Sequence, residues 1–438
     1  MQISWAKPHS FAMQTMNEAA RKHVYHNQYN SKIGSSSMHI LILPSWYPDH
    51  ANEVGGVFFR EQAVALAKSG LAIGVIAPKL RSLRRLPLVN FGSRSEYEND
   101  RGVHTYRWHG MAWFPRISYA NSLLWLKAGR RLFDRYVAEH GMPDIIHAHS
   151  ALNAGLLAAS IGQQRGVPVV LTEHSSAFGR RLVSDRQKRQ VSQAFHGSQR
   201  LIAVSPQLAT LLREEYPATE ERWLWVPNIV NSRFFDRPVS KGSSSSRSAS
   251  FRLLNIAMMT PNKGQEDLLK AFAKAFKGIK DVELWLGGDG PLRKELETST
   301  KLLGMDTQVK FLGILNRHQV QNALHQTDVF VLSSHYETFG VVIIEALAVG
   351  RPVIATRCGG PECIIGEGDG LVVTPQDVDE LAEAMRTMRM NIGSYDAEAL
   401  RARCRARFSE DAVVKQLTAI YRGLLAEGLP RSLSRKGP

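Results

Sequence analysis

Short apolar runs alternate with longer helix-like segments from residue 38 onwards, and this alternation restricts the possible folds more than any other feature of the chain. In the first half, five such runs are bounded by turn residues, at 39–43, 72–76, 144–147, 167–172 and 200–203. Segments such as residues 57–68 lie between them and have helical character. Strands that alternate with helices form βαβ units around a parallel sheet. The sequence therefore predicts an α/β protein.

A stretch rich in Ser, Pro and Gly at residues 236–250 interrupts the alternation and is typical of a linker. A second series of short apolar runs follows it, at 253–257, 282–286, 309–311, 328–332 and 352–355. A length of 438 residues also favours more than one domain. We therefore expect two doubly wound Rossmann-type domains, with ligands in the cleft beyond the carboxyl ends of their strands.

The predicted boundaries follow from these patterns. We expect a disordered N-terminal extension (residues 1–37), a first domain (38–235), a linker (236–250) and a second domain (251–405). A C-terminal helix (406–430) is expected to pack back towards the first domain, and a basic tail (431–438) follows it. The three cysteines lack a CxxC spacing, which favours a reducing compartment over a zinc site or disulfides. No apolar run approaches the length that spans a bilayer. These features predict a cytoplasmic protein.

The positive charge is concentrated in one stretch. The chain has 55 Lys and Arg against 40 Asp and Glu, and residues 79–136 alone hold 12 basic and four acidic side chains. Aromatic residues are interleaved with them, among them Trp108, Trp113, Phe114, Tyr119, Trp125 and Phe133. Such a mixture suits an anionic membrane surface, although a merely solvated basic face is an equal alternative. Nucleic acid is disfavoured because no nucleic-acid-binding module is recognisable.

Residues 328–350 carry the most informative chemistry. A strand ends at Leu332, a polar turn holds Glu337, and a helix is predicted to start near Phe339. Glu345 lies about two turns into that helix among apolar residues, where a carboxylate is costly unless it has a partner. It is either satisfied by a backbone group or a nearby Lys, or it binds ligand hydroxyls such as those of ribose. The free N–H groups at the helix start suit a phosphate.

Glu337 and Glu345 form an E-x7-E spacing within SSHYETFGVVIIEALAVGRPVIATRCGGPE. This segment resembles the donor site of the family 4 glycosyltransferases, which have the GT-B fold of two Rossmann-type domains facing each other across a cleft. The resemblance covers about residues 38–428. It implies that Glu337 lies near the donor sugar, that Glu345 binds the nucleotide ribose, and that the backbone at Phe339 and Gly340 binds the diphosphate.

Other segments fit the same family in order. TPNKGQEDLLKAF resembles its donor-phosphate segment, which implies that Lys263 neutralises the diphosphate, while Met258 stands where the family usually has an arginine. The glycine pair in NEVGGVFF, Gly55 and Gly56, is implied to lie against the donor phosphates. In LTEHSSAF, His174 matches the histidine that reaches the donor sugar.

No metal or cofactor is expected. His147 and His149 form an HxH pair, but no carboxylates cluster with them in the sequence, so alternation along a strand or turn explains their spacing. The one DxD match, Asp377 to Asp379, opens a helix-like stretch and is interpreted as a helix cap. We therefore predict a metal-independent enzyme.

The resemblance implies a retaining glycosyltransferase that moves a sugar from a UDP- or GDP-sugar to an acceptor hydroxyl. The acceptor is expected to be a lipid-linked or polysaccharide intermediate of cell-envelope or exopolysaccharide synthesis, with the enzyme peripheral on the inner face of the cell membrane. Two alternatives stay open at this point. One is a nucleotide-sugar epimerase on the same scaffold, and the other is a non-catalytic membrane-associated binding protein.

Overall fold

The computed structural model describes residues 37–49, 53, 55–82, 93–114, 118–238 and 250–427. The expected N-terminal extension up to residue 36, most of the linker and the basic tail lie outside the described residues. Three of the basic residues between 79 and 136 also lie outside them, namely Arg84, Arg85 and Arg116.

Within the described residues, eight strands form the first sheet: β1 (His39–Pro44), β2 (Ala72–Arg81), β3 (Arg94–Asp100), β4 (Val103–Met111), β5 (Ile145–His149), β6 (Val169–Glu173), β7 (Arg200–Ala203) and β8 (Trp223–Trp225). Their spatial order is β3-β4-β2-β1-β5-β6-β7-β8. Five helices of this domain are α1 (Val57–Lys68), α2 (Ser118–His140), α3 (Leu156–Arg165), α4 (Asp185–His196) and α5 (Pro206–Glu215). Alternate residues of β1 enter hydrophobic clusters on opposite sides of the sheet, so both faces are buried.

The first sheet is parallel except at one edge, where β3 pairs antiparallel with β4. The polar sequence RSEYEND gives β3 no continuous apolar run, so the strand carried no recognisable signal. Arg101 and Gly102 join the two strands with φ values of 55° and 89°. Two successive positive φ values are typical of a tight hairpin turn whose twist suits antiparallel strands.

The second sheet, again within the described residues, is entirely parallel and consists of β9 (Phe251–Ile256), β10 (Val282–Gly287), β11 (Val309–Gly313), β12 (Val329–Leu332), β13 (Val353–Thr356) and β14 (Gly370–Val373). Its order is β11-β10-β9-β12-β13-β14, which is the order of a Rossmann fold. The direction of winding reverses between β9 and β12. A ligand crevice is expected at that point.

The helices of the second half are α6 (Gln265–Phe276), α7 (Arg293–Leu302), α8 (Arg317–Gln326), α9 (Val341–Ala348), α10 (Val378–Asn391), α11 (Ala397–Phe408) and α12 (Glu410–Ala426). Between α11 and α12 the chain crosses back to the first domain, where Ser409 forms a β-bridge with Val230. The hydroxyl of Tyr421 in α12 lies 2.7 Å from Nδ1 of His147 in β5. Among the helices of the described residues, none is long and apolar enough to cross a bilayer.

The basic and aromatic stretch is only partly a surface. Trp125 and Phe133 are 4% and 1% exposed, so these two aromatics belong to the core and the expectation that they line a surface is wrong. They lie eight residues apart on α2, and this spacing places both on the face that packs against the sheet. Trp113, Phe114 and Tyr119 are exposed.

Candidate functional site

The reversal of winding in the second sheet brings two of the predicted site residues together. Lys263 follows β9 and Glu337 follows β12, and these neighbouring strands end at the same edge. Lys263 Nζ donates a hydrogen bond to the Glu337 carboxylate. The Ser334 hydroxyl donates to the same carboxylate at 3.0 Å. The lysine and the first glutamate of the E-x7-E spacing therefore form one ion pair at the crevice.

Contacts within the second domain hold the loop that carries Glu337. The Ser333 hydroxyl donates to the Lys263 carbonyl at 3.0 Å. Asn262 Nδ2 donates to the Tyr336 carbonyl at 2.9 Å, and the backbone N–H of Glu337 donates to the Cys358 carbonyl at 3.0 Å. Because both sides of the crevice supply these bonds, the position of Glu337 is fixed by the backbone as well as by its ion pair.

The same loop also meets the first domain. The Thr338 hydroxyl donates to the backbone carbonyl of His174 at 2.8 Å. The Tyr336 ring lies so close to Gly179 that a Cβ added there would be 2.0 Å from Tyr336 Cζ. These two contacts place the loop that carries Glu337 against the first domain, at the backbone of His174.

His174 follows β6 and is buried at the cleft. Its Nε2 lies 3.0 Å from Nδ1 of His149, the last residue of β5. The edge of the Phe59 ring packs against it at a centroid distance of 5.0 Å. Burial lowers the pKa of His174 to about 3; the neighbouring His147 reinforces this shift and the Asn228 side chain opposes it. The imidazole is therefore neutral at neutral pH.

The HxH pair divides between two roles. His149 reaches His174, whereas His147 lies inside β5 and bonds to Tyr421 and, at 2.8 Å, to the Thr172 hydroxyl. His147 therefore joins the C-terminal helix to the first sheet, with both of its ring nitrogens in hydrogen bonds. Within the described ranges, no group of three or more His, Cys, Asp or Glu side chains is arranged to hold a metal ion. Asp377 caps α10 by accepting two backbone N–H bonds, which confirms its interpretation as a cap.

Two helix starts near the cleft lack side-chain caps. Gly56 precedes α1 with φ +77°, and Gly340 precedes α9 with φ +100°. A side chain is strained in this left-handed region, which explains glycine at both positions. The first N–H groups of such helices are open to an anion. Gly55 differs from Gly56 and Gly340, because a Cβ added to it would meet nothing within 4 Å. No close contact with the described residues therefore explains the glycine at this position.

Phe339 lies just before the start of α9, and its side chain is buried. The helix begins at Val341, two residues after the predicted start, and the Phe339 ring is buried, with the Phe408 ring at a centroid distance of 5.9 Å. Its side chain therefore anchors the loop in the core. Only the backbone at Phe339 and Gly340 is available for the predicted contact with a diphosphate.

Glu345 is 1% exposed, and its partner is an arginine and not the backbone group or lysine that one of the two sequence interpretations named. Arg317 Nη1 donates to Glu345 Oε1 at 2.5 Å. The same guanidinium reaches Glu61 in α1 of the first domain, with Nε–Oε1 and Nη2–Oε2 distances of 3.0 and 2.9 Å. Burial raises the pKa of Glu345, an effect that Arg317 opposes and Glu61 reinforces.

Three residues of this site were not found from the sequence. Arg317 and Glu61 lie 256 positions apart, and neither belongs to a motif. Glu173 precedes His174 and is buried, and its carboxylate accepts backbone N–H bonds from Ala151, His174 and Ser175, each at 2.8 Å. Its adjacency to His174 was a signal, but only the fold shows that it fixes the backbone there. Met258, where a cation was expected by resemblance, is 63% exposed.

Comparisons with known proteins show the family to which the chain is similar. Residues 55–234 match the family described as Glycosyltransferase Family 4, and residues 236–400 match the family described as Glycosyl transferases group 1. An uncharacterised glycosyltransferase of Methanocaldococcus jannaschii is 26% identical over 87% of this chain and 97% of its own length. The lipopolysaccharide core biosynthesis glycosyltransferase LpsD of Rhizobium meliloti is 30% identical over 53% of this chain and 65% of its own length.

Solved structures share the fold. Sucrose-phosphate synthase from Thermosynechococcus elongatus superposes with a TM-score of 0.73 at 24% identity, covering 89% of this chain and 100% of its own. Anabaena HepE in complex with UDP-glucose superposes with a TM-score of 0.67 at 20% identity, covering 88% and 100%. The two family matches together span most of the described chain. This protein is a glycosyltransferase with the GT-B fold and belongs to family 4.

Proposed function

We propose that the protein is a retaining glycosyltransferase that transfers a sugar from a nucleoside-diphosphate sugar to an acceptor hydroxyl. The arrangement of Lys263, Glu337 and Glu345 around the crevice of a Rossmann-type domain carries this proposal. Ligands of such domains bind where the winding reverses. In support, the structures of HepE contain UDP or UDP-glucose, and that of a starch synthase contains ADP.

Each residue has a role in the proposed reaction. Glu345 binds the ribose hydroxyls, Lys263 and the helix starts at Gly56 and Gly340 bind the diphosphate, and Glu337 and His174 orient the donor sugar. The acceptor oxygen attacks the anomeric carbon from the side on which the diphosphate leaves. The bond between that carbon and the diphosphate oxygen breaks, its electron pair stays on the diphosphate, and a diphosphate oxygen takes the acceptor proton. The product then retains the anomeric configuration.

The charge that develops on the leaving diphosphate is stabilised by protein groups in this proposal. Lys263 supplies a positive charge, and the two uncapped helix starts supply N–H donors and the positive ends of their dipoles. We therefore expect the enzyme to need no metal ion. Sugar transfer that is abolished by EDTA and restored by Mg²⁺ or Mn²⁺ would contradict this part of the proposal.

The first domain is proposed to bind the acceptor. A cavity of about 350 Å³ lies at the carboxyl edge of its sheet, and its lining includes Trp46, Tyr47 and Lys79. Trp46 also lies beside Gly56, because a Cβ added to that glycine would be 3.0 Å from Trp46 Cδ1. Aromatic faces and polar groups beside the donor site suit a sugar acceptor.

We further propose that this acceptor is a lipid-linked or polysaccharide intermediate of cell-envelope synthesis, reached at the inner face of an anionic membrane. The exposed side chains of Trp113, Phe114 and Tyr119 and the exposed cations Lys127 and Arg131 support a membrane contact. The similarity to LpsD, a glycosyltransferase of lipopolysaccharide core biosynthesis, supports a glycolipid acceptor. Co-sedimentation with phosphatidylglycerol vesicles, but not with phosphatidylcholine vesicles, is the expected result. A Trp113→Ser/Phe114→Ser variant that still sediments fully would contradict this surface.

The donor proposal has a direct test. Thermal unfolding with UDP-, GDP- and ADP-sugars identifies the donor, and NMR of the product gives its anomeric configuration. Lys263→Met and Glu337→Gln are each expected to lower the turnover by about 100-fold, since both act at the reacting centre. Lys274→Met is the matched control, because Lys274 forms an exposed ion pair with Asp379 in the same domain. Wild-type turnover in both site variants would contradict the assignment.

NMR of the nucleotide-sugar incubated without acceptor distinguishes a glycosyltransferase from the alternative, an epimerase. A glycosyltransferase is expected to leave the nucleotide-sugar unchanged or to hydrolyse it slowly. A new nucleotide-sugar with an inverted sugar centre would replace the transfer proposal by an epimerase.

A further inference from the structure

Arg317 is the first residue of α8, and three of its N–H groups are engaged by carboxylates. Nη1 bonds to Glu345, while Nε and Nη2 form a forked pair with Glu61. The Phe234 ring lies under the guanidinium, with Cζ 4.8 Å from the ring centroid. The Arg317 side chain is 14% exposed. This arginine is therefore held on three sides in one orientation.

Two negative charges share the single positive charge of Arg317. Two carboxylates, with exposed fractions of 4% and 2%, share this one guanidinium. Arg233 also acts on Glu345 electrostatically, but its Nε bonds to Asn231. Without Arg317, two buried carboxylates would face each other, and one of them would tend to take a proton. A protonated glutamate is a poorer acceptor for hydroxyl groups.

The link also joins the two domains. Glu61 lies on α1, the helix that starts at Gly56, whereas Glu345 lies on α9 of the second domain. Arg317 thus connects the helix start that we assign to the diphosphate with the carboxylate that we assign to the ribose. Orienting interactions of this kind lower the cost of binding because fewer side chains must be ordered when the ligand arrives.

We propose that Arg317 is a positioning residue for the donor, which orients Glu345 as a carboxylate towards the ribose and, through Glu61, holds α1 and Gly56 against the nucleotide site. This inference rests on the proposed function, since it assumes that Glu345 binds ribose. It adds a residue and an interdomain contact that none of the sequence motifs contains.

The test compares two ligands. The nucleoside diphosphate that stabilises the wild-type protein most is titrated alongside its 2′,3′-dideoxy counterpart, which lacks both ribose hydroxyls. Arg317→Met is expected to weaken the ribose nucleotide about tenfold, the lower end of what a hydrogen bond to a charged group contributes. The same variant also breaks the link to Glu61, so the dideoxy nucleotide should weaken only by the factor that Glu61→Gln gives, and less than the ribose nucleotide. Arg317→Lys keeps the charge but not the fork, and an intermediate loss is expected.

Three further measurements complete the test. Binding of the ribose nucleotide to Arg317→Met should recover as the pH is raised, because Glu345 without its cation ionises only at higher pH. Glu61→Gln leaves Arg317 on Glu345, so it should weaken both nucleotides by the same factor through α1. Arg386→Met, which removes an exposed pair with Glu383, is the control and should bind both nucleotides as the wild type does.

The outcomes separate the two proposals. A wild-type protein that binds no nucleotide overturns the proposed function and this inference with it. If the wild type binds the nucleotide but Arg317→Lys loses affinity equally for the ribose and dideoxy nucleotides, or loses none, the inference is overturned and the proposed function stands. If Arg317→Met does not fold, the lysine variant alone decides, because its unfolding midpoint and its binding ratio are measured separately.

Discussion

Replacing Glu345 by glutamine isolates the charge of one buried group. Glutamine has nearly the same shape, and Arg317 keeps its forked pair with Glu61, so the guanidinium is not left without a partner. Burial raises the pKa of Glu345, which means that ionising it at neutral pH disfavours the folded state. We therefore expect Glu345→Gln to be at least as stable as the wild type at pH 7.

The sign of the pH dependence follows from the same pKa. A carboxyl group whose pKa is raised on folding binds protons more readily in the folded state. The wild type therefore gains stability relative to Glu345→Gln as the pH falls, and loses it as the pH rises through the folded pKa. Urea denaturation at pH 5.5 and pH 8 should show the variant's advantage growing with pH.

Nucleotide affinity should change in the opposite direction. A hydrogen bond to a charged acceptor contributes about 1.5–3 kcal/mol, against about 0.5–1.5 kcal/mol for a neutral one. The difference over two ribose hydroxyls is about 2–3 kcal/mol, which corresponds to a loss of about 30- to 150-fold in affinity. Isothermal titration of the nucleoside diphosphate measures it, with Glu383→Gln as an exposed control. Affinity within twofold of the wild type would refute the assignment of Glu345 to the ribose.

Three further changes test other parts of the structure. Gly56→Ala should destabilise the fold by about 1–2 kcal/mol in urea denaturation and raise the KM for the donor, because φ at this position is +77°. An unchanged urea midpoint would contradict the strain argument. Gly179→Ala should lower turnover but leave nucleotide affinity intact, because its Cβ would displace Tyr336 at the cleft, away from the site assigned to the ribose. A variant with a lower unfolding temperature but unchanged turnover would contradict this. His147→Asn should be less stable than the wild type at pH 7, and this difference in unfolding free energy should shrink as the pH falls to 5. Burial lowers the pKa of His147 in the folded protein to about 3, so below pH 6.5, where the histidine of the unfolded chain takes up a proton, only the wild type loses stability. A difference that is constant with pH would argue against a buried neutral imidazole.

Part of the fold was predictable because it depends on local patterns. The helix at Val57–Lys68 and the strand at Arg200–Ala203 have the predicted bounds, since turn residues and apolar periodicity define both ends. The antiparallel strand Arg94–Asp100 had no apolar run and was missed. The burial of Trp125 and Phe133 was also missed, because a basic and aromatic composition does not show which face of a helix packs inwards.

The sequence by itself determined the class of protein, the two series of strands, and the residues of the E-x7-E segment with Lys263, because motifs and periodicity are properties of neighbouring residues. The tertiary structure alone decided which partners these residues have. The pairing of Lys263 with Glu337 follows from two strands that become neighbours only when the sheet reverses its winding. The pairing of Glu345 with Arg317 and Glu61 joins positions in two domains, and buried charges must find such partners wherever the fold brings them within hydrogen-bond distance.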